Sequence, residues 1–272
     1  MRLSPAELTA LVDAKETSPH RFLGLHPLVG GGLVARSLFP WASACELVPD
    51  GPTKPVPMKQ LHASGVFEVE LAGAALFRYR FRVTYPDGVR RDVDDPYRFL
   101  PTISEDDLFL LGKGDDHRVY HKLGAQLRTL DGVAGVSFAV WAPSARRVSV
   151  VGDFNLWNGR AHPMRALGAS GIWEVFVPGL VAGTRYKFEL VGPHDRTPFL
   201  KTDPYGLHFE PSPNHAAIVC DLSGFVWNDA VWMESRRRRD PRTRPMSVYE
   251  VHLASWRRVP EEGGRVLNYR EL

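Results

Sequence analysis

Of the residues whose type and placement could do chemistry, Trp157 stands first. It follows the run Val148-Ser149-Val150-Val151, then Gly152-Asp153-Phe154-Asn155-Leu156, and precedes Asn158-Gly159. The β-branched run reads as a strand, Gly152 can take a positive φ without penalty, and Asp153 and Asn155 cap turns with their own side chains. The product is a strand, a tight turn and a displayed indole. Such a ring can stack on the apolar face of a pyranose, or fold back as a lid over the sheet from which it springs, and both readings stay open.

Other chemical constellations reduce to structural roles. Asp92, Asp94 and Asp95, and separately Glu105, Asp106 and Asp107, could pose as paired carboxylates, but turn and capping roles are expected of both groups. Glu250 and His252 share one strand face without a third partner. Gly30-Gly31-Gly32 lacks the Lys-Ser/Thr and the helix that make a phosphate cradle, so it reads as a turn. Trp141 and Trp173 lie among apolar strand neighbours and are expected in the core. Arg236 to Arg239, with Arg242 and Arg244, carry much of the net charge of +3 and read as a solvated linker without interleaved aromatics. No nucleic-acid partner is expected. Cys45 and Cys220 give neither a disulfide framework nor a metal spacing, and no metal or cofactor is expected. No apolar run approaches 18 residues and no signal peptide opens the chain, so no membrane partner and a cytoplasmic location are expected.

The elements that must position Trp157 form a repeat. Pro40 and Pro143 align at an offset of 103, Gly65 and Gly171 at 106, Tyr79 and Tyr186 at 107, and Asp95-Pro96-Tyr97 and Asp203-Pro204-Tyr205 at 108. Period-2 alternation agrees: Phe67, Val69 and Leu71 match Trp173, Val175 and Val177, while Tyr79, Phe81 and Val83 match Tyr186, Phe188 and Leu190. An all-β fold of two tandem immunoglobulin-like sandwiches follows. Domains are expected at 1–104, with a leading helix capped by Ser4-Pro5-Ala6-Glu7, at 105–228, and at 229–272. Asp106 to Leu130 reads as a short strand or connector with a helical turn. Gly224 to Pro245 reads as irregular, and Met246 to Trp256 as a strand followed by a loop.

Several segments resemble the amino-terminal half of the bacterial glycogen branching enzyme family, in the glycoside hydrolase 13 superfamily. They are Phe22 to Pro27, Asp95 to Phe99, FAVWAPSARRVSVVGDFN from Phe138 to Asn155, His162 to Arg165, and VYEVHLASWRR from Val248 to Arg258. The resemblance implies an N-terminal sandwich, a carbohydrate-binding module 48 sandwich and then a (β/α)₈ barrel, with α-glucan (glycogen or linear α-1,4-glucan) as the partner. The family cleaves an α-1,4 link and remakes it as α-1,6. Lys187 matches a lysine that binds glucan in related modules, and Asn214 lies near where such modules place an asparagine on sugar hydroxyls. A second stacking Trp, expected around Gly192 to Phe199, is missing. VYEVHLASW resembles the first barrel strand, but a barrel needs about 250 residues and 26 follow Met246 (272 − 246). The resemblance places the nucleophile and acid/base carboxylates on later strands, so no catalytic residue is carried over and the chain by itself is expected to be an inactive monomer. The alternative is a free-standing glucan-binding or regulatory module.

Overall fold

Ser4 caps α1 (Pro5–Val12): its hydroxyl accepts from the Glu7 amide, the Glu7 carboxylate accepts from the Ser4 amide, and Pro5 occupies the first turn. Leu11 and Val12 are thereby turned inward against Phe22, Leu23 and Tyr97. The computed structural model describes residues 3–73, 75–194 and 197–272. These divide into two units, one ending at Leu222 and one starting at Ser223.

In the first unit two sandwiches follow one another. The first contains β1 (Gly24–Pro27), β2 (Leu33–Leu38), β3 (Ala44–Pro49), β4 (Val56–Pro57), β5 (Lys59–His62), β6 (Val66–Leu71), β7 (Tyr79–Thr84) and β8 (Arg90–Val93). Its antiparallel sheets run β1-β2-β6-β5 and β4-β3-β7-β8. After α2 (Glu105–Lys113), the second contains β9 (Gly124–Leu130), β10 (Val133–Trp141), β11 (Arg147–Gly152), β12 (Arg165–Ala166), β13 (Ile172–Pro178), β14 (Arg185–Val191), β15 (Phe199–Lys201), β16 (His208–Phe209) and β17 (Ala217–Ile218). Its sheets run β12-β13-β10-β9 and β11-β14-β17-β16, with β15 also on β14. The alternation read from the sequence sets the facing: Phe67, Tyr79, Phe81 and Val83 fill one core, and Val136, Phe138, Trp173, Val175, Tyr186 and Phe188 the other.

The repeat is atomic. Phe39 and Ala142 donate backbone N–H to the carbonyls of Gly65 and Gly171, each at 2.8 Å. A Cβ at Gly65 would lie 1.9 Å from the Phe39 oxygen, and one at Gly171 2.7 Å from Pro143 Cβ, which explains glycine at both positions. Tyr79 donates to Asp95 and Tyr186 to Asp203, both at 2.6 Å, while the amides of Tyr97 and Tyr205 donate to the other oxygen of the same carboxylates at 2.8 Å.

Four expectations are corrected. Leu108 to Leu111 lie in α2, not in a strand: the Ser104 hydroxyl accepts from the Asp107 amide and the Asp107 carboxylate returns the bond, a cap that overrides the short apolar run. Trp141 is 62% exposed, because Val136, Phe138 and Val140 take the inner face and leave it the outer one at the strand's end; Trp173 is in the core as expected. In the second unit, Gly224 to Pro245 contains α3 (Ala230–Arg237), supported by Glu234 pairing with Arg237 and Arg238, with Pro241 falling past its end. As expected, the arginine run itself contains no aromatic residue; Trp232, four residues before it, lies under the Arg236 guanidinium at 5.6 Å. Finally, 246–251 form no strand: among the described residues no strand pairs with them, and a lone extended segment has no ladder to join. They lead instead into α4 (Leu253–Trp256) and the hairpin β18 (Arg258–Val259) with β19 (Arg265–Val266). His252 meets Ser255 rather than Glu250. Among the described residues no helix is long and apolar enough to cross a membrane.

One buried ion joins the sandwiches. Glu174 on β13 is fully buried, accepts from the Thr102 amide at 2.7 Å and from the Thr102 hydroxyl, and pairs with Arg165 at 3.3 Å. Arg165 also donates to the Phe99 carbonyl at 2.9 Å, and the Phe99 ring meets Phe176 edge-on at 4.6 Å. Glu174→Ala strands the Arg165 charge and is expected to cost about 3–5 kcal/mol, read as a lower midpoint in chemical denaturation. The amides of 246–251 should exchange within the dead time of a hydrogen-exchange experiment, while those of Val136 to Val140 and Tyr186 to Leu190 stay protected.

Candidate functional site

The loop between β11 and β12 is built around a buried amide. Asn155 is fully buried; its Oδ1 accepts from the Gly152 amide, and its Nδ2 donates to the Val150 carbonyl and to His162 Nδ1, all at 2.9 Å. Gly152 does not take the positive φ expected of it. Its backbone is extended, and glycine is required because a Cβ would sit 2.2 Å from the Arg185 carbonyl and 2.5 Å from the Phe154 ring. The left-handed residues are Leu156 and Trp157, at φ +54° and +58°. Such conformations in large side chains cost of order 1 kcal/mol each and persist only where surroundings fix them. Here the Asn155 bonds and a bond from the Trp157 amide to the Gly152 carbonyl, 3.0 Å, do so.

Phe154 and Trp157 divide the two roles that were open for one indole. Phe154 folds back over the core, stacked 6.2 Å from Phe138 and edge-on to His162 at 5.4 Å. Trp157 stays half-exposed, with Nε1 donating to Asp153 Oδ1 at 3.0 Å. Asp153 in turn accepts from Arg185 at 2.7 Å, and Arg185 reaches Glu210 at 3.0 Å. Glu210 is fixed by the 209–216 turn, where its amide donates to the Ala216 carbonyl at 2.8 Å.

Lys187 lies two residues beyond Arg185 on the outer face of β14. Its ammonium donates to the Asn214 carbonyl at 2.9 Å, so two of the sequence-selected residues touch. Trp157 joins them through Asp153 and Arg185. An ammonium has three donors and an asparagine amide both a donor and an acceptor, so after this contact the pair retains hydrogen-bonding capacity for sugar hydroxyls. Sequence reasoning missed Arg185 and Glu210, whose pairing spans a turn with no local signal; for Asn155 and His162 the only cue was the turn-forming Asn. Within the stretch where a second stacking Trp was sought, residues 195 and 196 lie outside the described residues.

Fold and surface together define a tandem of antiparallel sandwiches in which the second carries a loop-borne, hydrogen-bonded aromatic surface. Residues 4–97 match the family model of the alpha-1,4-glucan branching enzyme GlgB N-terminal domain, and residues 122–206 that of carbohydrate-binding module 48 (isoamylase N-terminal domain). The chain is 46% identical over 268 residues to the 1,4-alpha-glucan branching enzyme GlgB of Paramagnetospirillum magneticum, covering 98% of this chain and 35% of that protein. It is 46% identical to the GlgB of Myxococcus xanthus (98% and 36%) and 48% identical to that of Frankia casuarinae (98% and 32%). Over 98% of its length the chain is similar to GlgB branching enzymes, and it spans about a third of the length of the curated relatives it matches.

His162 ties the loop to pH. Burial lowers its pKa from 6.5 to about 4, so the fold holds it neutral while the unfolded chain binds a proton more readily. Its contribution is complete above pH 6.5 and declines as pH falls towards 4. His20, lowered to about 2 chiefly by burial, acts in the same direction. Burial raises the pKa of Asp95 to about 6, which acts in the opposite direction over this window, so the test is the difference: relative to the unsubstituted chain, the denaturation midpoint of His162→Gln should rise as pH falls from 6.5 to 4.

Proposed function

We propose that the chain is the glucan-contacting and positioning part of a branching enzyme that makes α-1,6 branches by transferring α-1,4-glucan segments in glycogen synthesis. Trp157 stacks on a pyranose, and Lys187 and Asn214 bind the hydroxyls of the same α-glucan. The observation that carries the reading is the convergence of these residues, through Asp153 and Arg185, on one outer sheet face. The chain works as a cytoplasmic monomer with neither nucleic acid nor membrane as partner.

It performs no catalysis by itself. Retaining transglycosylation needs two carboxyl groups about 5 Å apart, one free to attack and one to carry a proton. Next to Trp157 the carboxylates are Asp153, Asp13 and Glu189, and each is engaged by a cation, Arg185, Lys15 and Arg147 respectively.

Affinity electrophoresis in glycogen gels tests the binding. Trp157→Ala should weaken retardation about tenfold, the equivalent of ~1.4 kcal/mol, and unchanged mobility would sink the assignment. In an iodine–glucan branching assay the purified chain should show no turnover.

A further inference from the structure

Trp157 also borders a cleft of about 870 Å³ that the three residues of the proposed glucan site do not fill. One wall belongs to the first sandwich's leading segment, where Asp13 and Lys15 follow α1. The floor is Arg147 paired with Glu189 across adjacent strands. Arg147 also donates to the Asp13 carbonyl at 3.4 Å, and its buried Nε has no partner. Loop backbone presses directly on the Glu189 carboxylate, since a Cβ on Gly159 would fall 1.9 Å from its Oε1. At the rim, Arg160 is exposed, and its charge acts on both Asp13 and Arg147.

These parts suit one ligand chemistry. A planar carboxylate–guanidinium pair offers fixed acceptors and donors side by side, the pattern that vicinal hydroxyls satisfy. An indole at the edge offers an apolar face for a ring, and the volume lies in the range of small-molecule sites. The two carboxylates offset two of the four cations, Lys15, Arg146, Arg147 and Arg160, and Arg146 donates to the Gly192 carbonyl at 3.0 Å. That leaves a cleft lined with hydrogen-bonding groups more than a strong anion trap.

We propose that this cleft is a second α-glucan subsite, in which a chain leaving Trp157 continues over Glu189 and Arg147 towards Lys15. Longer glucans are then held by both sandwiches, whereas short ones need only Trp157, Lys187 and Asn214. The inference rests on the glucan-binding reading above and extends it to the first sandwich.

Titration calorimetry of the full chain with maltotriose and maltoheptaose tests it. Lys15 and Arg160 are exposed and outside both cores, so the double variant Lys15→Ala/Arg160→Ala retains the fold. It should bind maltoheptaose about tenfold more weakly and maltotriose unchanged, whereas Lys187→Ala should weaken both. If the double variant binds maltoheptaose normally while Lys187→Ala weakens both sugars, the cleft proposal falls and the glucan-binding reading stands. If the wild-type chain binds neither sugar, both fall. Equal weakening of both sugars by the double variant overturns the extension, as does displacement of maltoheptaose by inorganic phosphate, which would mark an anion site.

Discussion

The Glu174 carboxylate is the constraint on which the arrangement of the first unit depends. An ionised group without solvent must have its acceptor capacity met in place, or its burial costs several kcal/mol. Three partners meet it, and two of them come from Thr102 in the segment that links the sandwiches. The linker is therefore a packed strap, with Arg165 gripping Phe99 and the Tyr97 hydroxyl within 3.5 Å of the Ala161 and Pro163 carbonyls. The strap also reaches the loop that carries Trp157, since Ala161 and Pro163 belong to its return. Positioning of the aromatic surface thus depends on bonds made by the first sandwich.

Comparison of the two copies locates where one acquired its surface. The amide of Met58 donates to the Cys45 carbonyl and that of Met164 to the Val148 carbonyl, each at 2.9 Å. The offset is 103 at the second residue of each pair (148 − 45) and 106 at the first (164 − 58). Three extra residues have entered the loop between them in the second copy, the loop that presents Trp157. The second addition, β16 and β17, follows Asp203-Pro204-Tyr205 and brings Asn214 to Lys187. Lys187 itself sits on shared framework, where the first copy has Arg80 (187 − 107). Two of the three selected residues therefore stand in segments that the first copy lacks.

Much of this was legible because it is written in local patterns. Alternation assigned the cores, and the duplicated glycines and Asp-Pro-Tyr triplets marked contacts that proved equivalent atom for atom. The duplication runs further upstream than the pattern suggested. Ser4 and Ser104, Leu11 and Leu111, and Gly24 and Gly124 all stand at an offset of 100, so α2 is the counterpart of α1. It was obscured because Leu108 to Leu111 is a short apolar run, which periodicity cannot divide between strand and helix. Trp141 was misplaced for a related reason: its counterpart Leu38 (141 − 103) is 4% exposed under α1, but α2 leaves the second position 62% open. The strand expected at 246–251 failed because strand formation depends on partners that a local pattern does not supply.

The Asp153–Arg185–Glu210 chain shows how the site is held without much stabilising the fold. Asp153 and Arg185 are each about half exposed, at 50% and 48% of side-chain surface, and a solvated pair of this kind contributes little to stability. What the chain supplies is orientation. Asp153 fixes the indole through Nε1 with one oxygen and accepts Arg185 with the other, so the ring plane is referred to the rigid strand β14. Arg185 passes the reference on to Glu210 and hence to the turn that carries Asn214. A loop with two left-handed residues is thereby coupled to the strand that presents Lys187. The buried Asn155 sets where the loop runs, and the exposed ion chain sets which way its aromatic faces.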